Sequence, residues 1–169
     1  MHLVISCSLN KKSKSRLMAK YTYNLYCKDS NFIDLESIKM PFCDGNECYN
    51  EPIVDELKES ISNAKSIIIA SPIYNYDLNA ASKNLMELTG KAWTNKIVGF
   101  ILAAGGKGSY MSALPFMNSL MLDFRCLIIP RFVYEEGSLF NGTKMKNELK
   151  ERLEELVDTS ISLSQSIET

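Results

Sequence analysis

At 169 residues, with a formal charge of −1 and a pI near 5.9, the chain is sized for one hydrophobic core and has no surface-wide field favouring nucleic acid or an anionic membrane. No apolar run approaches the ~20 residues of a membrane span, and the basic residues near the N-terminus follow its short apolar stretch, the reverse of a secretory signal. Cys7, Cys27, Cys43, Cys48 and Cys126 form no close CxxC pair and read as reduced thiols, so the expectation is a single soluble, cytoplasmic domain over residues 1–169 with a small-molecule partner.

In chain order, residues 2–6 (HLVIS) read as a strand, and Leu17, Met18, Tyr21 and Leu25 recur at helical spacing, predicting a helix over 14–27. Residues 31–35 predict a short second strand. Residues 36–51, with Pro41, Gly45 and several acids, read as an irregular loop. A second helix begins near Glu51-Pro52 and carries Ile53, Val54, Leu57 and Ile61 inward. The run 66–70 (SIIIA) is a buried strand expected to stop at Ser71-Pro72, because proline cannot donate to a central ladder. Residues 79–89 form a helix between a capping asparagine and Gly90. Residues 96–103 give a fourth strand, 109–123 a helix, 126–129 a fifth strand ending at Pro130, and 143–162 an amphipathic helix.

Strands alternating with helices define a doubly wound α/β fold, and the right-handed crossover rule leaves few topologies for five strands. The expected arrangement is the flavodoxin-like five-stranded parallel sheet, order 2-1-3-4-5, with helices on both faces. Ligands of such folds bind beyond the carboxyl ends of the strands, at the switch point between strands one and three. Three loops therefore carry the functional reading.

The first, Ser6 to Arg16, is dense in hydroxyls and cations (Ser8, Ser13, Lys14, Ser15) where a strand enters a helix, which suits a phosphate at a helix N-terminus. The plain alternative is that Ser13 or Ser15 caps the helix and the lysines are solvated. The loop lacks the glycines of GxxxxGK[ST] and GxGxxG, so a monophosphate fits better than a pyrophosphate. The second, Ser71-Pro72-Ile73-Tyr74-Asn75-Tyr76, joins flat aromatic surface to amide and backbone polar groups, a mixture suited to a planar heterocycle, or else is an ordinary turn with surface tyrosines. The third, Ala103-Ala104-Gly105-Gly106-Lys107-Gly108, lets backbone approach a flat ligand without Cβ crowding.

These segments resemble the NADPH-dependent FMN reductase family. Ser71-Pro72-Ile73-Tyr74-Asn75 with Lys83-Asn84 stands at the spacing of that family's [ST]-P-x-Y-N segment and K-N pair. Cys7 to Ser15 lines up with its G-S-L-R-x-x-S-x-N loop, and the third loop with its [ST]-x-G-G-x-x-G stretch. Cys7 stands where the family has glycine, Asn10 where it often has arginine, and Ile73 where it often has glutamate. The resemblance implies FMN as cofactor and NAD(P)H as co-substrate. It implies Ser8, Asn10, Ser13, Lys14 and Ser15 around the phosphate, with Lys11 or Lys12 supplying the charge that Asn10 lacks. Pro72, Ile73, Tyr74, Asn75 and Tyr76 would line the ribityl chain and ring, with Ala104, Gly105, Gly106, Lys107 and Gly108 beside the ring. It further implies hydride transfer to a small electron acceptor such as a flavin, quinone, azo or nitro compound, and assembly as a homodimer or homotetramer. Met117, Leu120, Met121 and Phe124 supply either that contact or the core.

Hydride transfer through a flavin needs no acid–base pair from the protein. That agrees with a chain whose one histidine, His2, falls at the start of the first strand. Cys43 and Cys48 read as part of a loop that shapes the substrate side or a subunit contact, with a redox pair or half a metal site as the lesser reading. Trp93 and Phe100 read as packing residues. Two other classes stay open. One is an electron-carrying flavodoxin, disfavoured by the near-neutral charge. The other is a flavin-free binding module of the same fold.

Overall fold

The computed structural model describes residues 1–26 and 29–167. Its strands are β1 (His2–Ser6), β2 (Ser30–Asp34), β3 (Ser66–Tyr74), β4 (Asp77–Leu78), β5 (Ile97–Ala103), β6 (Leu127–Ile128), β7 (Val133–Glu135), β8 (Phe140–Asn141) and β9 (Lys144–Met145). Its helices are α1 (Lys14–Leu25), α2 (Pro52–Ser62), α3 (Ala80–Thr89), α4 (Leu114–Phe124) and α5 (Asn147–Ile167). The main sheet runs β2-β1-β3-β5-β6, all parallel. With the two-residue β4 set aside, this is the flavodoxin order 2-1-3-4-5.

Alternation along the strands divides the core into two layers. Leu3, Ile5, Ile67, Ile69, Val98, Phe100 and Leu102 face α2, α3 and α4, where Leu57, Ile61, Leu85, Phe116 and Leu120 meet them. Val4, Ile68, Ala70, Ile97 and Ile101 face α1 and α5, meeting Met18, Ala19, Leu149, Leu153 and Leu156. Trp93 is fully buried and donates its indole N–H to Thr89 Oγ1 at 2.7 Å, and Phe100 meets Phe116 edge-on, so both are packing residues. His2 is buried too, stacked on Tyr26 and bonded to Ser66 Oγ at 2.7 Å.

Gly99 lets α5 close on the sheet. A Cβ there would come within 2.7 Å of Ile68 Cδ1 and 3.1 Å of Leu156 Cδ1. Gly99→Val is therefore expected to destabilise the fold by about 2 kcal/mol through overpacking, read as a lowered urea midpoint with an unchanged slope.

The boundaries depart from the sequence reading in places, each for a local reason. The predicted end of the first helix at residue 27 lies outside the described residues, as does Cys27. The loop 36–51 contains two short 3-10 turns, Leu35–Ser37 and Glu47–Asn50. β3 does not stop at Ser71-Pro72 but continues to Tyr74. Ala70 O accepts Cys7 N–H from β1, and backbone groups alternate sides, so Pro72 turns its missing donor toward the side β1 has already left. The helix expected from 109 begins at Leu114, because Pro115 fits only its first turn. The fifth strand is split. Pro130 lacks an N–H and Arg131 takes φ +59°, so the ladder breaks after Ile128 and resumes, slipped by two residues, when Val133 pairs with Ile101. Residues 143–146 belong to the β8-β9 hairpin, turned by Gly142 at φ +61°, and α5 starts only after it.

Candidate functional site

Three loops leave the carboxyl ends of β1, β3 and β5 side by side. The first ends at the N-terminus of α1, where Ser13 occupies the cap position (φ −67°, ψ 137°) without any side-chain capping bond. Its Oγ instead lies 2.7 Å from Ser15 Oγ, and both serines are buried. Ser8, also buried, accepts the N–H of Asn10 at 3.2 Å, and Asn10 Oδ1 accepts the N–H of Lys12 at 3.0 Å. Asn10 thus spends its carbonyl on shaping the loop. The first-turn N–H groups of α1 are left to a ligand or solvent, with a partial positive charge behind them.

The cations around this loop divide. Arg16 is held by Asp34 at 2.5 Å and Glu36 at 3.5 Å, and Lys11 by Glu36 at 3.4 Å, so the end of β2 braces the first turn of α1. Lys14 leaves the serines: its ammonium lies 5.4 Å over the Phe140 ring, and against Gly137, where a Cβ would collide with it. Among the described residues Lys12 alone of the loop's lysines has neither an ion pair nor a ring partner. Arg16, Asp34 and Glu36 escaped the sequence reading because their pairing depends on β2 lying beside β1.

Cys7 occupies the position at which a glycine was expected, and its side chain goes inward. It is fully buried beside Ser82, and burial pushes its thiol pKa up to about 12; Cys126, buried near the start of β6, is pushed up to about 11. An unfolded thiol ionises near 9.0, so the folded chain holds protons that the unfolded chain has begun to release. Stability is therefore fully present below about pH 9 and falls as pH rises from there toward about 12. Urea midpoints at about pH 8 and pH 10.5 check this, and Cys7→Ser should flatten the decline.

The second loop is a tight hairpin. Ile73 pairs with Leu78 and Tyr74 with Asp77, and the two turn residues Asn75 and Tyr76 both take positive φ, +51° and +63°. Tyr74 and Tyr76 stand 55% and 72% exposed, large for tyrosines on a rigid turn. Behind them Asn79 ties the loops together. Its Oδ1 receives the hydroxyls of Ser82 (2.7 Å) and Ser71 (3.1 Å) and the N–H of Ser82 (3.3 Å), and its Nδ2 donates to Cys7 O (2.7 Å). Sequence reading found Asn79 as a cap but not its reach to the first loop. Asn84 likewise bridges Pro41 O (2.8 Å) and Cys43 N (2.9 Å), which fixes the 41–43 arch and leaves Phe42 87% exposed. The Cys43 thiol lies 3.4 Å from Tyr49 Oη.

The third loop faces the second. Ile73, Asn75, Tyr76, Gly105, Gly106, Gly108 and Ser109 line one open cleft of about 310 Å³. Tyr76 Oη would lie 3.6 Å from a Cβ on Gly108, so any side chain there would narrow the mouth. Of the residues expected to bind a ligand, this cleft gathers Ile73, Asn75, Tyr76, Gly105, Gly106 and Gly108, and adds Ser109. Pro72 is buried in β3 beneath it. Ala104 is tied to Glu135 O by its N–H at 2.9 Å. Lys107 points into a neighbouring cleft of about 410 Å³ shared with Tyr110, Tyr134, Glu136 and Arg152.

A parallel, doubly wound sheet with an uncapped helix N-terminus on one side of the switch point and an aromatic-and-glycine cleft on the other defines the flavodoxin-like class. Within that class, residues 2–138 match the model of the NADPH-dependent FMN reductase family, and the chain belongs to that family. A NAD(P)H-dependent FAD/FMN reductase of Geobacillus thermodenitrificans is 31% identical over 124 residues, and the match spans 72% of this chain but only 65% of that relative. An NADPH azoreductase of a Bacillus species is 23% identical over 157 residues, covering 92% and 87% of the two chains. Among solved structures, the NAD(P)H:(acceptor) oxidoreductase FerB of Paracoccus denitrificans superimposes with a TM-score of 0.76 at 18% identity, over 97% of this chain and 96% of that one. Among the described residues no helix is long and apolar enough to cross a membrane.

Proposed function

We propose that residues 1–169 form one cytoplasmic flavodoxin-like domain that binds FMN and uses NAD(P)H to reduce a small acceptor such as a flavin, quinone, azo or nitro compound. The observation that carries this reading is the convergence of the uncapped α1 N-terminus, with its paired serines, and the cleft between the Tyr76 turn and the glycine loop at one end of the sheet. The residues fit the group. First-turn N–H groups with the Ser8, Ser13 and Ser15 hydroxyls suit a phosphate, and Lys12 can supply positive charge. A Cβ at Gly105 or Gly106 would meet nothing within 4 Å, so the cleft wall is bare backbone open to a flat ring.

Bound there, FMN would supply the redox chemistry that links a nicotinamide hydride donor to the acceptor. The chain would hold the phosphate at the α1 N-terminus and the ring in the cleft lined by Ile73 and the aromatic turn, with the open side of that cleft left for the two substrates. No side-chain acid or base is asked to move a proton in the hydride step. An exposed apolar strip on α4 and the turn before it, Met111, Leu114, Met121 and Leu122, suits a second copy of the chain and a homodimer or homotetramer, whereas Met117 and Leu120 are consumed by the core.

The test is an absorbance spectrum of the purified protein after incubation with FMN and desalting, followed by anaerobic NADH or NADPH. Retained flavin bands that bleach are expected. Retained bands that stay oxidised would favour an electron carrier, and no retained flavin would favour a flavin-free module. Light scattering on the same sample reads the assembly, with a mass of twice or four times 19.1 kDa expected.

A further inference from the structure

We infer that Tyr134 is a positioning residue for the flavin, acting through the glycine loop. This rests on the FMN reading above and concerns a residue outside the three strand-end loops. A Cβ built on Gly105 or Gly106 would meet nothing within 4 Å, so no side chain packs over that face of the loop and polar ties are left to set the position of this wall of the cleft. Those ties converge on β7. The Tyr134 phenol donates to Gly106 O and lies 2.8 Å from Ser109 Oγ, while the next residue, Glu135, receives Ala104 N–H at 2.9 Å.

The phenol is itself immobilised. Its residue is 9% exposed, paired with Leu102 in the sheet, met edge-on by the Tyr110 ring at 5.3 Å, and held at its carbonyl by Arg152 Nη2 at 3.1 Å. The segment that follows is fixed as well, because the buried Glu135 carboxylate accepts the N–H groups of Gly137 (2.5 Å) and Leu139 (2.9 Å). A fixed hydroxyl bonded to Gly106 O sets the plane of the Gly106–Lys107 peptide. In a trans peptide the N–H points opposite to the carbonyl, so the same bond directs Lys107 N–H away from Tyr134. Ordering this wall before the ligand arrives removes a cost that binding would otherwise bear.

The experiment compares the parent chain with Tyr134→Phe, which keeps the ring packing and removes the hydroxyl, and with Ser109→Ala, which removes one partner of that hydroxyl. In the apo proteins, amide hydrogen exchange over residues 104–110 is expected to be faster in Tyr134→Phe while the global urea midpoint stays near the parent's. FMN affinity, read by flavin fluorescence, is expected to fall about tenfold, the size of one hydrogen bond's contribution. The bound flavin's visible band should lose its resolved shoulders as the ring becomes more mobile, and Ser109→Ala should show a smaller change in the same direction. Parent-like exchange and parent-like FMN affinity in Tyr134→Phe would overturn the inference while leaving the flavin reading intact. A parent chain that binds no FMN would overturn both.

Discussion

Ser13→Asp is expected to abolish tight FMN binding while leaving the fold as stable as the parent or slightly more so. The two effects separate because Ser13 stands at the cap position of α1 yet gives its hydroxyl to Ser15 instead of the helix. Aspartate is a strong N-cap and favours the positive end of the helix dipole, which together contribute about 1 kcal/mol. The same carboxylate would stand in the proposed phosphate site. At a separation of about 4 Å and an effective dielectric near 20, each pair of like charges costs about 4 kcal/mol. Even after discounting for solvent, FMN affinity should fall at least about a hundredfold. Riboflavin, which has no phosphate, is the control: its weaker binding should stay within about twofold of the parent's. Fluorescence titration of both ligands reads the difference. Equal losses for riboflavin and FMN would place the phosphate elsewhere, and an unchanged FMN affinity would remove α1 from the site.

Asn79→Ala should produce the largest loss of stability, about 3 kcal/mol. One buried amide caps α3, accepts two hydroxyls and donates to Cys7 O, so truncation removes a cap worth about 1 kcal/mol and strands buried polar groups at about 1–3 kcal/mol more. The consequence reaches function because the Cys7 carbonyl belongs to the loop that leads into Ser8. FMN binding should weaken along with stability even though Asn79 lines neither part of the cleft. Urea unfolding with and without saturating FMN tests this: ligand linkage should restore less stability to the variant than to the parent. A variant that loses stability but regains it fully with FMN would show that Asn79 supports the fold alone. Asn79→Asp, which keeps the acceptor and loses the donor to Cys7 O, separates the cap from the tie between loops.

The alternation of β-branched runs with helical periodicity sufficed for the layer architecture, because burying a parallel sheet on both faces leaves its mark in every strand, and the crossover rule narrowed the strand order to a few choices that include the observed one. The loops at the ends of β1, β3 and β5 were legible for a similar reason. A helix entry rich in serine, a Pro-x-Tyr-Asn turn and a run of glycines are each recognisable within a few residues. Asn79 as a cap and Gly90 as a helix end followed from local rules and stand as expected.

Tertiary structure alone decided the rest. Arg16 finds Asp34 and Glu36 only because β2 lies beside β1, and neither acid is near it in sequence. Pro72 stays within β3 because β1 ends short of it, a fact about a neighbouring strand. Lys14, a phosphate ligand by sequence position, turns instead toward Gly137 and Phe140. The split of the fifth strand at Pro130 and Arg131 brings β7 back against β5, and with it Tyr134 onto the glycine loop. Sequence by itself determined which residue types stand at the ends of β1, β3 and β5, since that depends on composition over short spans. Which side chains those loops can spare for a ligand depends on long-range pairing, and only the folded sheet decides it.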